Sequence, residues 1–244
     1  MDKANIPVNE RLIFALDVPT AAAARQWVER LEDQVKFYKV GLQLFLAAGF
    51  PMVDWLTGRG HKVMLDLKFF DVPATVGLAV QQLNDRGVTF TTVHGNDAII
   101  EAAVAAGREV KILAVTVLTS FSEDDLRQLG MTGTIEELVY YRARKALELG
   151  CAGIVSSGLE AARLRGQLGE KFLIVTPGIR PGDNREIEAD DQKRVATARR
   201  AIAGGADYIV VGRPIRTAAN PQAVVSELQA EIAAALAAGG EAAD

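Results

Sequence analysis

Short apolar runs alternate along the chain with longer segments whose apolar residues recur every three or four positions. The runs cover 12–18, 35–41, 63–68, 89–95, 111–118, 153–158, 172–178 and 208–214. Their near-continuous hydrophobicity predicts strands covered on both faces, as in a parallel sheet. The segments between them predict helices. One carries Ala21, Ala24, Val28 and Leu31 on a single face, and another carries Val76, Ala79, Val80 and Leu83 inward over 73–86. Further helices are expected over 43–48 and on through 51–60, then over 98–106, 134–149, a stretch ending at 168, and 192–203. Thr134, with Glu137 three residues on, has the form of a capping box. Residues 122–129 read as part of a longer connection. A last helix carries Val225, Leu228, Ile232 and Leu236 at steps of three and four, and 239–244 reads as a frayed, flexible tail.

Eight strand–helix units follow one another with no break in composition. That pattern predicts α/β architecture: one (β/α)8 TIM barrel spanning 1–244. The competing reading, an open doubly wound sheet, calls for a glycine-rich dinucleotide loop after the first strand. Asp17-Val18-Pro19-Thr20 is no such loop.

Composition narrows the partners. The chain has 244 residues, 49% hydrophobic and 24% charged, ordinary for a soluble globular protein. A net charge of −4 gives no broad basic field for nucleic acid. No uninterrupted apolar run is long enough to span a bilayer, and 1–5 lacks the apolar core of a signal peptide. The cytoplasm is therefore the expected compartment. Cys151 is the single cysteine, so no intrachain disulfide is possible, and its apolar neighbours mark it as a small buried residue.

The charged residues fall at one end of the strands, and in this fold the active site lies at the carboxyl ends. Asp17 ends the first strand, Lys39 the second, and Asp66 and Lys68 the third. Thr119 follows the fifth strand, Arg180 the seventh, and Gly212-Arg213 end the eighth. The amino ends offer mainly the single charges Lys62, Lys111 and Lys171. Asp66 and Lys68 are two apart and so point to one side of a strand. Asp71 lies five residues past Asp66, and Val72-Pro73 keeps the chain extended there. The bland reading of any one of these residues is a rim charge; the set as a whole reads as a site. Gly212 allows close backbone approach to an anion, and Arg213 can grip two phosphate oxygens. The polar loop over 180–192 has the length and position of a lid.

Asp66-x-Lys68-x-x-Asp71-Val72-Pro73-x-Thr75 resembles the signature of the orotidine 5′-phosphate decarboxylase family, bacterial type. Phe14-Ala15-Leu16-Asp17, Tyr38-Lys39-Val40-Gly41, Val93-His94-Gly95, Leu118-Thr119-Ser120, Thr176-Pro177-Gly178-Ile179-Arg180-Pro181 and Val211-Gly212-Arg213-Pro214-Ile215 resemble further family blocks, in family order. Two departures stand out: the loop from Arg180 to Gln192 is a few residues longer than the bacterial pattern, and Ala198 holds the place of a usual proline.

The resemblance implies conversion of orotidine monophosphate to UMP and carbon dioxide, with no metal or other cofactor. It implies Lys68 as proton donor to C6, Asp66 beside the departing carboxylate, and Lys39 linking the charged network to the ribose. Asp17 would hold a ribose hydroxyl, and Thr119 would lie near the pyrimidine. Gln192, Gly212 and Arg213 would hold the phosphate, with Arg180 beside them. Asp71 and Thr75 would reach into a neighbouring subunit's site, making a homodimer.

Three alternatives stand beside this reading. Metal-dependent sugar-phosphate decarboxylases and hexulose-phosphate synthases share the Asp-x-Lys-x-x-Asp strand but carry a glutamate where Lys39 stands. A phosphopentose epimerase needs metal-binding histidines on several strands, whereas this chain has two, His61 before the third strand and His94 at the fourth. A non-catalytic nucleotide-binding barrel would need no intact charged network.

Overall fold

The computed structural model describes residues 6–182 and 194–240. Eight parallel strands close into a barrel in sequence order: β1 (Leu12–Ala15), β2 (Phe37–Gly41), β3 (Lys62–Phe69), β4 (Phe90–Val93), β5 (Lys111–Val115), β6 (Gly153–Val155), β7 (Leu173–Thr176) and β8 (Tyr208–Val211), which pairs back onto β1. The helices are α1 (Val8–Arg11), α2 (Ala21–Leu31), α3 (Leu42–Gly58), α4 (Pro73–Gln81), α5 (Asp97–Ala106), α6 (Glu123–Gln128), α7 (Ile135–Glu148), α8 (Ala161–Leu168), α9 (Ala198–Ala203), α10 (Arg213–Arg216) and α11 (Pro221–Gly240). The expected (β/α)8 barrel is thus present. Among the described residues, no helix is long and apolar enough to cross a membrane.

Strand alternation divides the apolar residues into two cores. Leu12, Phe14 and Leu16 face the helices, as do Tyr38 and Val40. Ile13, Ala15, Phe37, Met64, Phe90, Leu113, Val155, Val175 and Tyr208 fill the barrel interior. Phe37, Phe90 and Tyr208 pack ring against ring there, with centroids 5.2–5.7 Å apart. With a period of two, the inward series 13, 15 continues to Asp17. Likewise 37 leads to Lys39, 64 to Asp66 and 90 to Thr92. The apolar filling therefore gives way to polar side chains at the carboxyl end of the same inward rows.

Several boundaries differ from the sequence reading, for physical reasons. The ladder of β1 stops at Ala15 and that of β8 at Val211, because the chain turns into loops before the apolar run is spent. The helix expected over 73–86 ends at Gln81. The 43–48 and 51–60 helices merge into α3 across a break at Gly49, where φ is 58° and Pro51 follows. The 122–129 connection contains α6, started by a Ser122–Asp125 capping box. The expected capping box of Thr134 and Glu137 begins α7. α9 starts at Ala198 behind a Thr197 cap, later than 192. Of the expected 239–244 tail, Gly239 and Gly240 are the last residues of α11, and 241–244 lie outside the described residues.

Gly153 lets β6 and β7 approach closely in the barrel wall. A Cβ placed there would lie 2.3 Å from the Leu173 carbonyl oxygen, a backbone atom of the neighbouring strand. Gly153→Ala is expected to cost about 2–3 kcal/mol by forcing β6 from β7. The thermal midpoint should then fall by roughly 5–10 °C. Gly166, inside α8, has nothing within 4 Å of such a Cβ. Gly166→Ala should be neutral or raise stability by up to about 1 kcal/mol. Thermal melts of the two variants check both outcomes.

Candidate active site

The inward rows deliver four charged side chains to the barrel mouth from three strands. Asp66, on β3, is 8% exposed and sits at the centre. Lys68 Nζ approaches its two carboxylate oxygens at 2.8 and 2.9 Å, and Lys39 Nζ lies 3.5 Å from Oδ2. Lys39 in turn donates to Asp17 Oδ1 at 2.9 Å. The chain of contacts runs Asp17–Lys39–Asp66–Lys68, two carboxylates against two ammoniums. Burial pushes the Asp66 carboxyl up, but Lys39 and Lys68, with hydrogen bonds from Lys68 and Thr92, outweigh it and hold its pKa below the usual carboxylate range. Burial likewise pulls Lys39 down, and Asp66 and Asp17 reverse that, so its ammonium pKa ends above normal. Both groups are charged at neutral pH.

Lys68 is not in regular strand geometry. Its φ is 49°, and the pairing of β3 with β4 shifts register between Leu65 and Phe69. A non-glycine residue held there costs about 1–3 kcal/mol. Thr92 braces the distortion. Its hydroxyl oxygen accepts from the Lys68 N–H at 3.0 Å and donates to Asp66 Oδ1 at 2.9 Å. Gly41 leaves room beside the network, since a Cβ there would lie 3.0 Å from Lys39 Nζ.

These groups open into a cavity of about 280 Å³. Asp17, Lys39, Asp66 and Lys68 line it together with Thr119, Gly178, Arg180, Gly212 and Arg213. Gly212 precedes the short helix α10 and crowds Ala15 and Asp17, so a side chain there would intrude on the site. The cavity thus has an ion-pair network at one wall and arginine with glycine backbone at another, a fit for an anionic ligand.

Asp71 and Thr75 are exposed and do not line this cavity within one chain. Asp71 Oδ1 accepts from the Val72 N–H at 2.6 Å, Val72 is extended as expected, and Pro73 opens α4. Gln192, and the 183–191 portion of the proposed lid, lie outside the described residues. His61 is buried at the amino end of β3, edge-on to Tyr38, while His94 stands near the mouth against Phe70. Among the described residues, no group of three or more His, Cys, Asp or Glu is arranged to hold a metal ion.

The sequence reading passed over Thr92, Ser156 and Arg216. Thr92 had one available signal, a hydroxyl in an inward row two residues beyond Phe90. Ser156, just past β6, and Arg216, at the end of α10, line the cavity from positions that strand alternation does not reach.

The sequence model of the "Orotidine 5'-phosphate decarboxylase / HUMPS family" matches residues 10–228. An orotidine 5'-phosphate decarboxylase of Methylococcus capsulatus is 56% identical over 235 residues, 96% of this chain and 96% of that protein. One from Stenotrophomonas maltophilia is 48% identical, over 98% of this chain and 100% of that protein. The crystal structure of orotidine 5'-phosphate decarboxylase from Lactobacillus acidophilus superposes with a TM-score of 0.80 at 37% identity, covering 91% of this chain and 99% of that chain. With the barrel, the charged network at its mouth and these likenesses in agreement, the chain belongs to the orotidine 5'-phosphate decarboxylase / HUMPS family.

Proposed function

We propose that this protein converts orotidine 5′-monophosphate to UMP and carbon dioxide in pyrimidine nucleotide synthesis, using its own side chains alone. The observation that carries this reading is the buried Lys39–Asp66–Lys68 network facing a cavity with Gly212 and Arg213 on another wall. Loss of carbon dioxide from C6 leaves an electron pair in the plane of the ring, where the ring π system cannot take it up. A fixed ammonium at that position stabilises the developing charge without reorganising during the reaction. Lys68 fills this role and then gives its proton to C6. Asp66 keeps Lys68 charged and aimed, and lies beside the departing carboxylate. Lys39 and Asp17 hold the ribose. Thr119 faces the pyrimidine, and Arg180, Gln192, Gly212 and Arg213 serve the phosphate. Binding energy from that remote phosphate supports the chemical step.

The protein acts as one barrel domain in the cytoplasm, as a homodimer in which Asp71 and Thr75 complete the partner's site. Phe70, Val72 and Leu78 support the dimer: they flank these two residues and are 70%, 62% and 61% exposed in the single chain. Large apolar side chains bared around a charged segment suit a protein contact.

Lys68→Ala should abolish turnover while keeping the fold and substantial UMP binding, because Asp66 retains Lys39 and Thr92 as partners. Steady-state assays and UMP titration check this. Activity within about tenfold of wild type, a barrier change of only ~1.4 kcal/mol, would rule Lys68 out as proton donor.

Turnover should also survive exhaustive chelation, since Lys39 places an ammonium where the metal-dependent relatives place an acid. Loss on chelation with recovery on adding magnesium would move the protein to the metal-dependent branch of the family.

The shared site predicts complementation. Mixing inactive Lys68→Ala and Asp71→Ala chains gives heterodimers with one site lacking both groups and one complete. With free exchange of equal amounts, roughly a quarter of all sites should regain activity. Mass spectrometry of tagged chains confirms that exchange has occurred. If mixed dimers form and remain as inactive as their parents, Asp71 serves its own subunit.

A further inference from the structure

We propose that Arg194 and Glu160 are a positioning pair that fixes the Thr119 wall of the cavity, an inference that rests on the nucleotide reading above. Arg194 lies between β7 and α9, yet its guanidinium reaches the loops that follow two other strands. Nη2 donates to the main-chain oxygens of Val117 at 3.1 Å and Leu118 at 2.9 Å. These are the two residues before Thr119, and all three line the cavity. Nη1 pairs with Glu160 Oε1. The other carboxylate oxygen of Glu160 accepts from the Ser156 hydroxyl at 2.5 Å and from the Ser157 N–H at 3.0 Å. Ser156 also lines the cavity. One ion pair thus ties the loop after β5 to the loop after β6.

The burial and the backbone both argue against an incidental surface contact. The two side chains are only 14% and 10% exposed. The carbonyls of Val117 and Leu118 lie past the end of β5, where the strand ladder no longer holds the chain. The Leu118 oxygen also accepts from the Phe121 N–H at 2.9 Å, whereas the Val117 oxygen is met by the guanidinium, which serves both at once. The carboxylate partner keeps that guanidinium oriented. Neither Arg194 nor Glu160 lines the cavity, so the pair acts on a ligand through Val117, Leu118, Thr119 and Ser156. Gly212 and Arg213 follow β8, which pairs with β7 and β1 rather than with β5 or β6. Loosening the pair should therefore weaken recognition of the base and spare recognition of the phosphate.

Titration of the purified protein with UMP and with ribose 5-phosphate, which lacks the base, separates the two ends. For Arg194→Met the UMP Kd should rise roughly tenfold or more, while the ribose 5-phosphate Kd stays within about twofold of wild type. The KM for orotidine monophosphate should rise with the UMP Kd. Met leaves the Glu160 carboxylate buried and unpaired, which is destabilising in itself. The double variant Arg194→Met with Glu160→Gln removes that charge. The selective loss of UMP binding should persist in the double variant even as its thermal midpoint recovers. Arg194→Lys keeps the charge without a planar pair of donors, and should show the same selectivity in milder form if the Met variants do not fold. Unchanged UMP binding, equal weakening of both ligands, or restored UMP binding in the double variant would overturn the proposal. Wild-type protein that fails to bind UMP would bring down the nucleotide reading with it, and that is seen before any variant is made.

Discussion

The site depends on keeping one buried carboxylate ionised. Asp66 has little water to stabilise its charge, and burial alone would push its pKa up. Two ammoniums and a hydroxyl supply what solvent does not. The dependence is mutual, because Lys39 is equally buried and keeps its proton on account of Asp66 and Asp17. Removing Asp66 itself would leave the buried Lys39 with Asp17 as its remaining carboxylate partner. No pair of neighbours along the chain could build this. The network needs residues 17, 39 and 66 at the mouth end of three neighbouring strands, and the parallel pairing of β1 with β2 and of β2 with β3 sets those strands side by side.

The backbone contributes as much as the charges. At Lys68 the strand leaves its regular path, and the ammonium reaches Asp66 from a conformation that a side chain ordinarily avoids. Thr92 makes this tolerable by accepting from the displaced N–H and donating to the same carboxylate that Lys68 neutralises. A neighbouring strand thereby pins both the main chain and the side-chain network with one hydroxyl. The charges are in place before any ligand arrives, which is the condition under which electrostatic stabilisation is most effective.

Much of this was legible in the sequence because the signals were periodic. Eight apolar runs separated by helical spacing define the barrel, and alternation within a run tells which residues continue the inward row. Asp17, Lys39 and Asp66 follow from that rule. Lys68 satisfies the spacing but reaches its place through a distortion that spacing does not encode. Loop residues were harder. Arg194 and Glu160 are far apart along the chain, and nothing local links a guanidinium after one strand to carbonyls after another. Strand ends were overextended because apolar residues continue past the last ladder bond into the mouth. Asp71 and Thr75 illustrate a different limit: their exposure in one chain is consistent with a role in a second, and a single sequence reads the same either way.

The aromatic packing of Phe37, Phe90 and Tyr208 has a consequence for traffic. These rings, with Ile13, Met64 and Leu113, stopper the interior beneath the charged network. The barrel is a cup rather than a pipe. In the proposed reaction a nucleotide enters, and a gas molecule and a nucleotide leave, all through one rim. In that reading a single doorway governs both the arrival of substrate and the clearing of the site.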